Sequence, residues 1–373
     1  MIPTAALLTF ASQTAAQNSE TLDQGLSNSG SSVSNLLRNS RYDFGRGLTF
    51  TSQDGEASMN IGGQIQAGYS WSADDDNTLT SGWAVNSSRL RVGGQVRDGL
   101  TYFMQFDPQG GEAGNLVDAW VGWQVNKRIH LRLGQQKMRS GLSADTSAND
   151  TDFETVTRSI ATGEFAGGRA TGALVTGNAG MFNWHVGVMN NGTEAGTGQA
   201  QNTVGNSRDT DMSMTAGFSL GGTSEAWSEG DLTRSGASNW IAGLTVTQDN
   251  QSAVGDDFMT INAFAGFKAG NGLALQAELW SRDADDEDTT DSGLYVQGSY
   301  TLAANGSMQP GFVARVSQLD IDGADDGEKM EVLVGVNAYY AAHNLKTQLQ
   351  VRQESDDGDD ETTSLELMFT LVF

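Results

Sequence analysis

The chain has 373 residues, 47 glycines against 3 prolines, no cysteine, and 21 basic against 46 acidic residues, giving a formal net charge of −25. The absence of cysteine excludes a disulfide scaffold and thiol chemistry, and the charge argues against general nucleic-acid binding. Hydrophobic residues are 38% of the total, and no run approaches the roughly 20 apolar residues of a membrane helix, which leaves open only a crossing by strands.

Residues 1–16, MIPTAALLTFASQTAA, hold a short apolar run followed by small residues around Ala15 and Ala16. This reads as the remnant of a secretory signal, although the usual Lys or Arg near the start is missing. Residues 17–56 are polar, and Leu22, Leu26, Val33, Leu36 and Leu37 have the spacing of a weak amphipathic helix or short coiled coil. We read them as an N-terminal periplasmic arm and not as a folded domain.

From residue 57 to residue 373 the apolar period is two. SMNIGGQIQAGYSW sets Met59, Ile61, Ile65, Ala67, Tyr69 and Trp71 against Asn60, Gln64 and Gln66. The same alternation runs through GLTYFMQFD, RIHLRLG, FNWHVGV and KTQLQVR, and the chain ends on LELMFTLVF with Leu365, Leu367, Phe369, Leu371 and Phe373 on one side. About sixteen such segments occur, each near the length of a tilted transmembrane strand. Tight turns such as VRDG (96–99), VNKR (125–128) and AAHN (341–344) alternate with longer connections. The longer set holds the segment 139–165 and the acidic clusters at 74–76, 283–291, 320–328 and 354–361. One connection breaks the rule: Gly221 to Ser238 is long where a short turn is due.

A soluble sandwich would also alternate, but it needs no aromatic belt and leaves edge strands to protect. Here aromatics recur near strand ends, at Tyr69 and Trp71, Tyr102 and Phe106, Trp120 and Trp123, Tyr339 and Tyr340, and Phe369 and Phe373, as they do at a bilayer interface. The expected fold is therefore all-β, a transmembrane antiparallel β-barrel of about 16 strands. Its apolar face would meet lipid, and its final Phe373 resembles an outer-membrane assembly signal.

If the apolar face is outside, the polar face lines a lumen. Parity then sends Arg89, Arg91, Arg132, Arg169, Arg282, Arg315, Lys346 and Arg352 inward, with Lys137 and Arg139 entering the long 139–165 connection. Guanidinium groups along a narrow path bind carboxylate or phosphate in bidentate fashion. The same parity turns Asp107, Asp118, Glu278, Glu331 and Glu366 inward, where they would pair with the cations. The acidic loops are read as solvated. DIDGADDGE at 320–328 lacks full EF-hand spacing, so no cofactor is expected beyond a surface Ca²⁺ that these loops leave open. His130, His185 and His343 lie on separate segments without metal-ligand spacing, and neither G-x-S-x-G nor H-E-x-x-H occurs, so no enzyme is expected.

Three runs together, SRLRVGGQVRDGLTYFMQFD (88–107), LVDAWVGWQVNKRIHLRLGQQK (116–137) and FAGGRATGALVTG (165–177), resemble the phosphate- and polyphosphate-selective porins of the O/P type. The family's R-x-R pair is matched at Arg89 and Arg91, its V-x-D-A strand from Val117, and its G-Q-x-K at Gly134, Gln135 and Lys137. Met138-Arg139 replaces the family's Pro-Phe, and Ala170 stands where a second basic residue is common. The resemblance implies a sixteen-stranded trimer whose third external loop, 139–165 here, folds inward to make the constriction. It further implies that Arg89, Arg91, Lys137 and Arg169 guide phosphate-like anions. The expected function is passive outer-membrane diffusion of small hydrophilic solutes, with a basic constriction favouring anions such as phosphate. The alternatives are a cation-preferring porin governed by its acidic loops, or a structural or adhesive barrel with a closed pore. Expected partners are two further copies in a homotrimer, outer-membrane lipids, the barrel-assembly machinery and permeating ions, with no nucleic acid.

Overall fold

The computed structural model describes residues 39–74, 79–108, 115–146, 151–190, 212–250, 257–284, 289–322, 327–356 and 361–373. The expected signal remnant, most of the expected arm and the tips of several acidic loops lie outside these residues. Eighteen strands join one sheet. Two are short, β1 (Ser40–Asp43) and β2 (Gly47–Thr51), and form a hairpin whose second strand pairs with the start of β3. The C-terminal end of the expected arm is thus part of the sheet.

The other sixteen close a barrel. In chain order they are β3 (Ser58–Ala73), β4 (Leu79–Arg97), β5 (Leu100–Asp107), β6 (Asn115–Asn126), β7 (Ile129–Lys137), β8 (Arg169–Ala179), β9 (Phe182–Asn190), β10 (Met212–Leu220), β11 (Asn239–Asn250), β12 (Asp257–Lys268), β13 (Leu273–Ala284), β14 (Thr290–Thr301), β15 (Gln309–Asp320), β16 (Glu328–Tyr339), β17 (Leu345–Asp356) and β18 (Glu361–Val372). Each pairs antiparallel with its neighbours in sequence, and β18 returns to β3 from Thr363↔Ala73 to Val372↔Gln64. Phe373 finishes the seam: its N–H donates to the Gly63 carbonyl at 2.9 Å, and the Gly63 N–H donates back at 2.7 Å. Closure leaves no unpaired edge in the ring, which is what a sheet in lipid requires.

Alternation decides which face each residue takes. On β16 and β17, Val332, Val334, Val336, Leu349 and Val351 stand 40–54% exposed on the outside. Between them Glu331, Leu333, Asn337, Lys346, Gln348 and Gln350 are at most 5% exposed on the inside. An apolar outer surface of this extent is a lipid-facing belt. Two of the expected belt aromatics belong inside instead. Trp120 stacks on Phe103 and lines an inner cavity, and Tyr339 is 1% exposed and donates to Glu154. Both follow the inward parity of their strands, which a count of aromatics near strand ends overlooks.

What buries the inner face is not strand. The connection between β7 and β8 carries two short helices, α1 (Leu142–Asp145) and α2 (Ile160–Phe165), and the connection 221–238 between β10 and β11 carries a single 3₁₀ turn at Ser224–Ala226. Both turn into the barrel.

Candidate functional site

The two inward segments start from opposite rims. The 138–168 segment leaves the end of β7 on the long-loop side, while 221–238 leaves the end of β10 on the tight-turn side. The 138–168 segment is pinned by inward side chains of the strands opposite. Glu278 on β13 accepts the N–H groups of Leu142 (2.8 Å) and Ser143 (2.6 Å) at the start of α1, together with the Tyr295 hydroxyl (2.8 Å). Arg315 on β15 donates to Thr155 Oγ1 (3.0 Å) and to the Thr157 carbonyl (2.9 Å). Lys346 on β17 caps the Thr151 carbonyl at 2.8 Å and also donates to Phe153 O. Gln350 accepts the Val156 N–H at 2.7 Å.

Apolar packing completes the dock. Phe165 of α2 stacks on Trp280 with ring centroids 6.2 Å apart, and Ala161, Tyr295 and Leu319 close the same cluster. From the other segment, Trp227 joins Leu142, Ile241 and Phe264, and its indole N–H donates to Gln276. Thus the wall from β12 to β16 carries large apolar side chains on its inner face as well. The expectation that this face is polar throughout is corrected here: these side chains bury the two segments and do not meet water.

The segments also hold each other. The Glu154 N–H donates to Glu229 Oε2 at 2.7 Å, and the Glu229 N–H donates to the Asp152 carbonyl at 2.9 Å. Glu229 further accepts from Gln276 (2.7 Å) and Gln297 (2.9 Å). Gly230 makes this approach possible. Its φ is +72°, and a Cβ there would sit 2.4 Å from Glu154 Oε1, so only a residue without a side chain fits both the turn and the neighbour. Burial pushes the Glu154 carboxyl up to about 8, with the Glu229 carboxylate adding in the same direction.

Every cation expected inside by parity is inside, yet they do not make one ring. Arg89 pairs with Asp107 at 3.4 Å, Arg169 with Asp118 at 3.2 Å, and Arg282 with Asp291 and with Glu164 of α2. Arg315 forks onto Glu331, and Arg352 lies among Glu331, Glu354 and Glu366. Arg91 donates to the Gly63 carbonyl at 3.2 Å, and Lys137 to the Ala144 carbonyl at 3.2 Å. Arg315, Lys346, Glu278, Glu331 and Asp118 are at most 4% exposed. Asp118 borders the small cavity by Trp120 and Lys137, and the other four line no open passage, because the inward segments and their ion-pair partners cover them.

The remaining space lies along β3 to β9. Asn60, Thr101, Phe103, Trp120, His130 and Arg132 keep part of their surface free there. An open volume of about 600 Å³ is bounded by Asn60, Gly93, Phe103, Trp120 and His130. A second cavity of about 140 Å³ sits at the tight-turn rim against Lys127, Arg128, His130, His185 and Arg139. A third of about 80 Å³ is bounded by Trp120, Arg132, Gln136, Lys137 and Asp145. Where the second and third meet, Glu225 of the 221–238 segment bridges Arg132 and Arg139. Partial burial would raise the Glu225 pKa, but Arg139 and Arg132 together hold it well below the usual carboxylate range. Parity reasoning found Arg132, the long 139–165 connection brought in Arg139, and both missed Glu225, whose only signal was a long connection in a place for a tight turn. Among the described residues no cluster of His, Asp and Glu is arranged to hold a metal ion.

The family model for phosphate-selective porin O and P matches residues 59–373, nearly the whole barrel. Compared with curated protein sequences the chain finds no match. Among solved structures it is similar to the outer membrane channel DcaP of Acinetobacter baumannii, at 13% identity and TM-score 0.60, over 87% of this chain and 99% of that one. It is also similar to the anion-selective porin from Comamonas acidovorans, at 14% identity and TM-score 0.58, over 85% and 100%. The trimer form of OmpT from Vibrio cholerae aligns at 14% identity and TM-score 0.51, over 84% and 99%. At these identities the likeness is one of fold.

Proposed function

Because the chain belongs to the phosphate-selective porin O and P family, we propose that it is a passive diffusion channel for small hydrophilic solutes that prefers anions weakly. Its place is the outer membrane, and the channel itself carries out no chemistry. The observation that carries the anion preference is the tight-turn-rim cavity, which meets Lys127, Arg128 and Arg139 but a single carboxylate, Glu225. Fixed cations beside a narrow path concentrate anions and repel cations. Along the β3–β8 wall, Arg89, Arg91, Lys137 and Arg169 are the residues we assign to the passage, each tempered by its own partner. Phosphate falls within this class, since guanidinium forks suit its oxygens, and the trimeric form of the OmpT relative supports a homotrimer.

A cation-preferring channel is the second reading, favoured by the net charge of −25. Much of that charge sits in outer loops, and salt screens it beyond about 8 Å. The reversal potential of the purified protein in a planar bilayer under a KCl gradient separates the two. A chloride-favouring value supports the anion reading, and a potassium-favouring value overturns it.

A further inference from the structure

Two cavities of the lumen share one ion-pair cluster. The cavity at the tight-turn rim and the one towards Lys137 have Arg139 and Glu225 in common, and Glu225 is the member of the 221–238 segment that lines both. Arg132 meets Glu225 as a fork, Nη1 to Oε1 at 2.9 Å and Nη2 to Oε2 at 3.1 Å, and Arg139 Nη2 closes on Oε2. This is the geometry in which a guanidinium takes a free oxyanion. We infer that Glu225 is a selectivity determinant of the channel: its carboxylate occupies an oxyanion position made by Arg132 and Arg139, and a passing anion displaces it. The inference rests on the channel reading given above.

Three features fit that role. The arginines keep their places without Glu225, because Arg132 lies over the Trp120 ring at 4.7 Å and Arg139 faces Asp145 at 3.6 Å. Glu225 is tethered more loosely than the wall acids. It rides on a three-residue 3₁₀ turn outside any strand, with 35% of its side chain exposed, against 0% for Glu331 and 6% for Asp118 in their pairs. Finally, the charges balance only while it is present. Around the third cavity Arg132, Lys137 and Arg139 stand against Asp118, Asp145 and Glu225, so removing the Glu225 carboxylate leaves a net positive charge beside it.

The test uses the full-length protein in planar bilayers, with E225Q, E225K and, as a control, E56Q on an exposed turn outside the lumen. The expected result is a several-fold rise in the chloride-to-potassium permeability ratio for E225Q, a further rise for E225K, and no change for E56Q. Adding R132Q to E225Q should bring the ratio back towards that of the wild type. An unchanged ratio in E225Q channels overturns the inference and leaves the channel reading standing. An equal gain in conductance for E225Q and E225K without a change in ion ratio also overturns it, since Glu225 would then only hold its segment in place. A wild-type protein that forms no channel removes both readings.

Discussion

The two halves of this barrel use the same strand chemistry to opposite ends. From β12 to β18 the inner face is packed: Phe264, Trp280, Tyr295, Leu319 and Leu333 are at most 7% exposed under the two inward segments. On the tight-turn half of β3 to β7 the inner face is open, with half-buried Asn60, Thr101, Phe103, Trp120 and His130 around the open volume, whereas Gln64, Gln105, Asp118 and Gln135 further along the same strands are buried. On the outside both halves show lipid the same apolar residues. A channel is therefore made here by filling most of a wide cylinder and leaving one wall bare, not by narrowing it evenly. Charged side chains follow this division. On the filled side they fasten loops, as Glu278, Arg315 and Lys346 do, and on the other side Lys137 and Arg132 hold the inward segments while bordering the remaining cavities.

The sharpest way to break the contrast is to replace residues 222–237 with a short turn. Conductance should rise several-fold, because the segment shares the interior with the loop it is bonded to. An unchanged single-channel conductance would mean that the bare wall alone sets the path. Next in size is the substitution W280A in the packed half, which should cost about 3–5 kcal/mol by leaving a cavity. F103A on the bare wall should cost about 1–2 kcal/mol, since a half-exposed ring loses less contact. Denaturant unfolding of the detergent-solubilised protein measures both, and equal losses would erase the distinction.

Removing Phe373 tests the seam that both halves depend on. It deletes the paired bonds to Gly63, and the yield of heat-resistant folded protein should fall, whereas F373L should keep most of it. A normal yield from the deletion would deny the terminal aromatic its assembly role.

The smallest expected effect comes from Glu154. Its carboxyl is pushed from 4.5 to about 8 when docked, so docking takes up a proton between those values. The stabilisation is fully present below about 4.5 and is lost as the pH rises through about 8. At that point the ionised Glu154 meets the Glu229 carboxylate, which already works against its charge. Current noise and protease nicking of the 151–159 stretch should be greater at pH 9 than at pH 5, and E154Q should flatten the difference. A pH-independent wild type would remove Glu154 from this role.

The barrel itself was legible because period two survives wherever lipid touches one face, as in Val332, Val334 and Val336. Inward cations were legible for the same reason. The filling was not. Leu333 and Phe264 look like ordinary members of apolar strands, and parity names their side without saying what covers it. The partners of Glu278 lie 135 and 136 residues away in α1, a pairing no local pattern carries. The acid that matters most to the path, Glu225, sits in a connection with no periodicity at all.

The contact between Glu154 and Glu229 has a mechanical consequence. One segment is anchored at the long-loop rim and bolted to strands across from its root; the other is anchored at the tight-turn rim and held by β13 and β14. Together they act as a diagonal strut inside a hoop. A hollow sixteen-stranded ring can ovalise under lateral pressure at little expense, by small changes in strand tilt. A strutted ring resists that deformation, so the aperture beside the bare wall should keep its width when the surrounding bilayer is compressed or thinned.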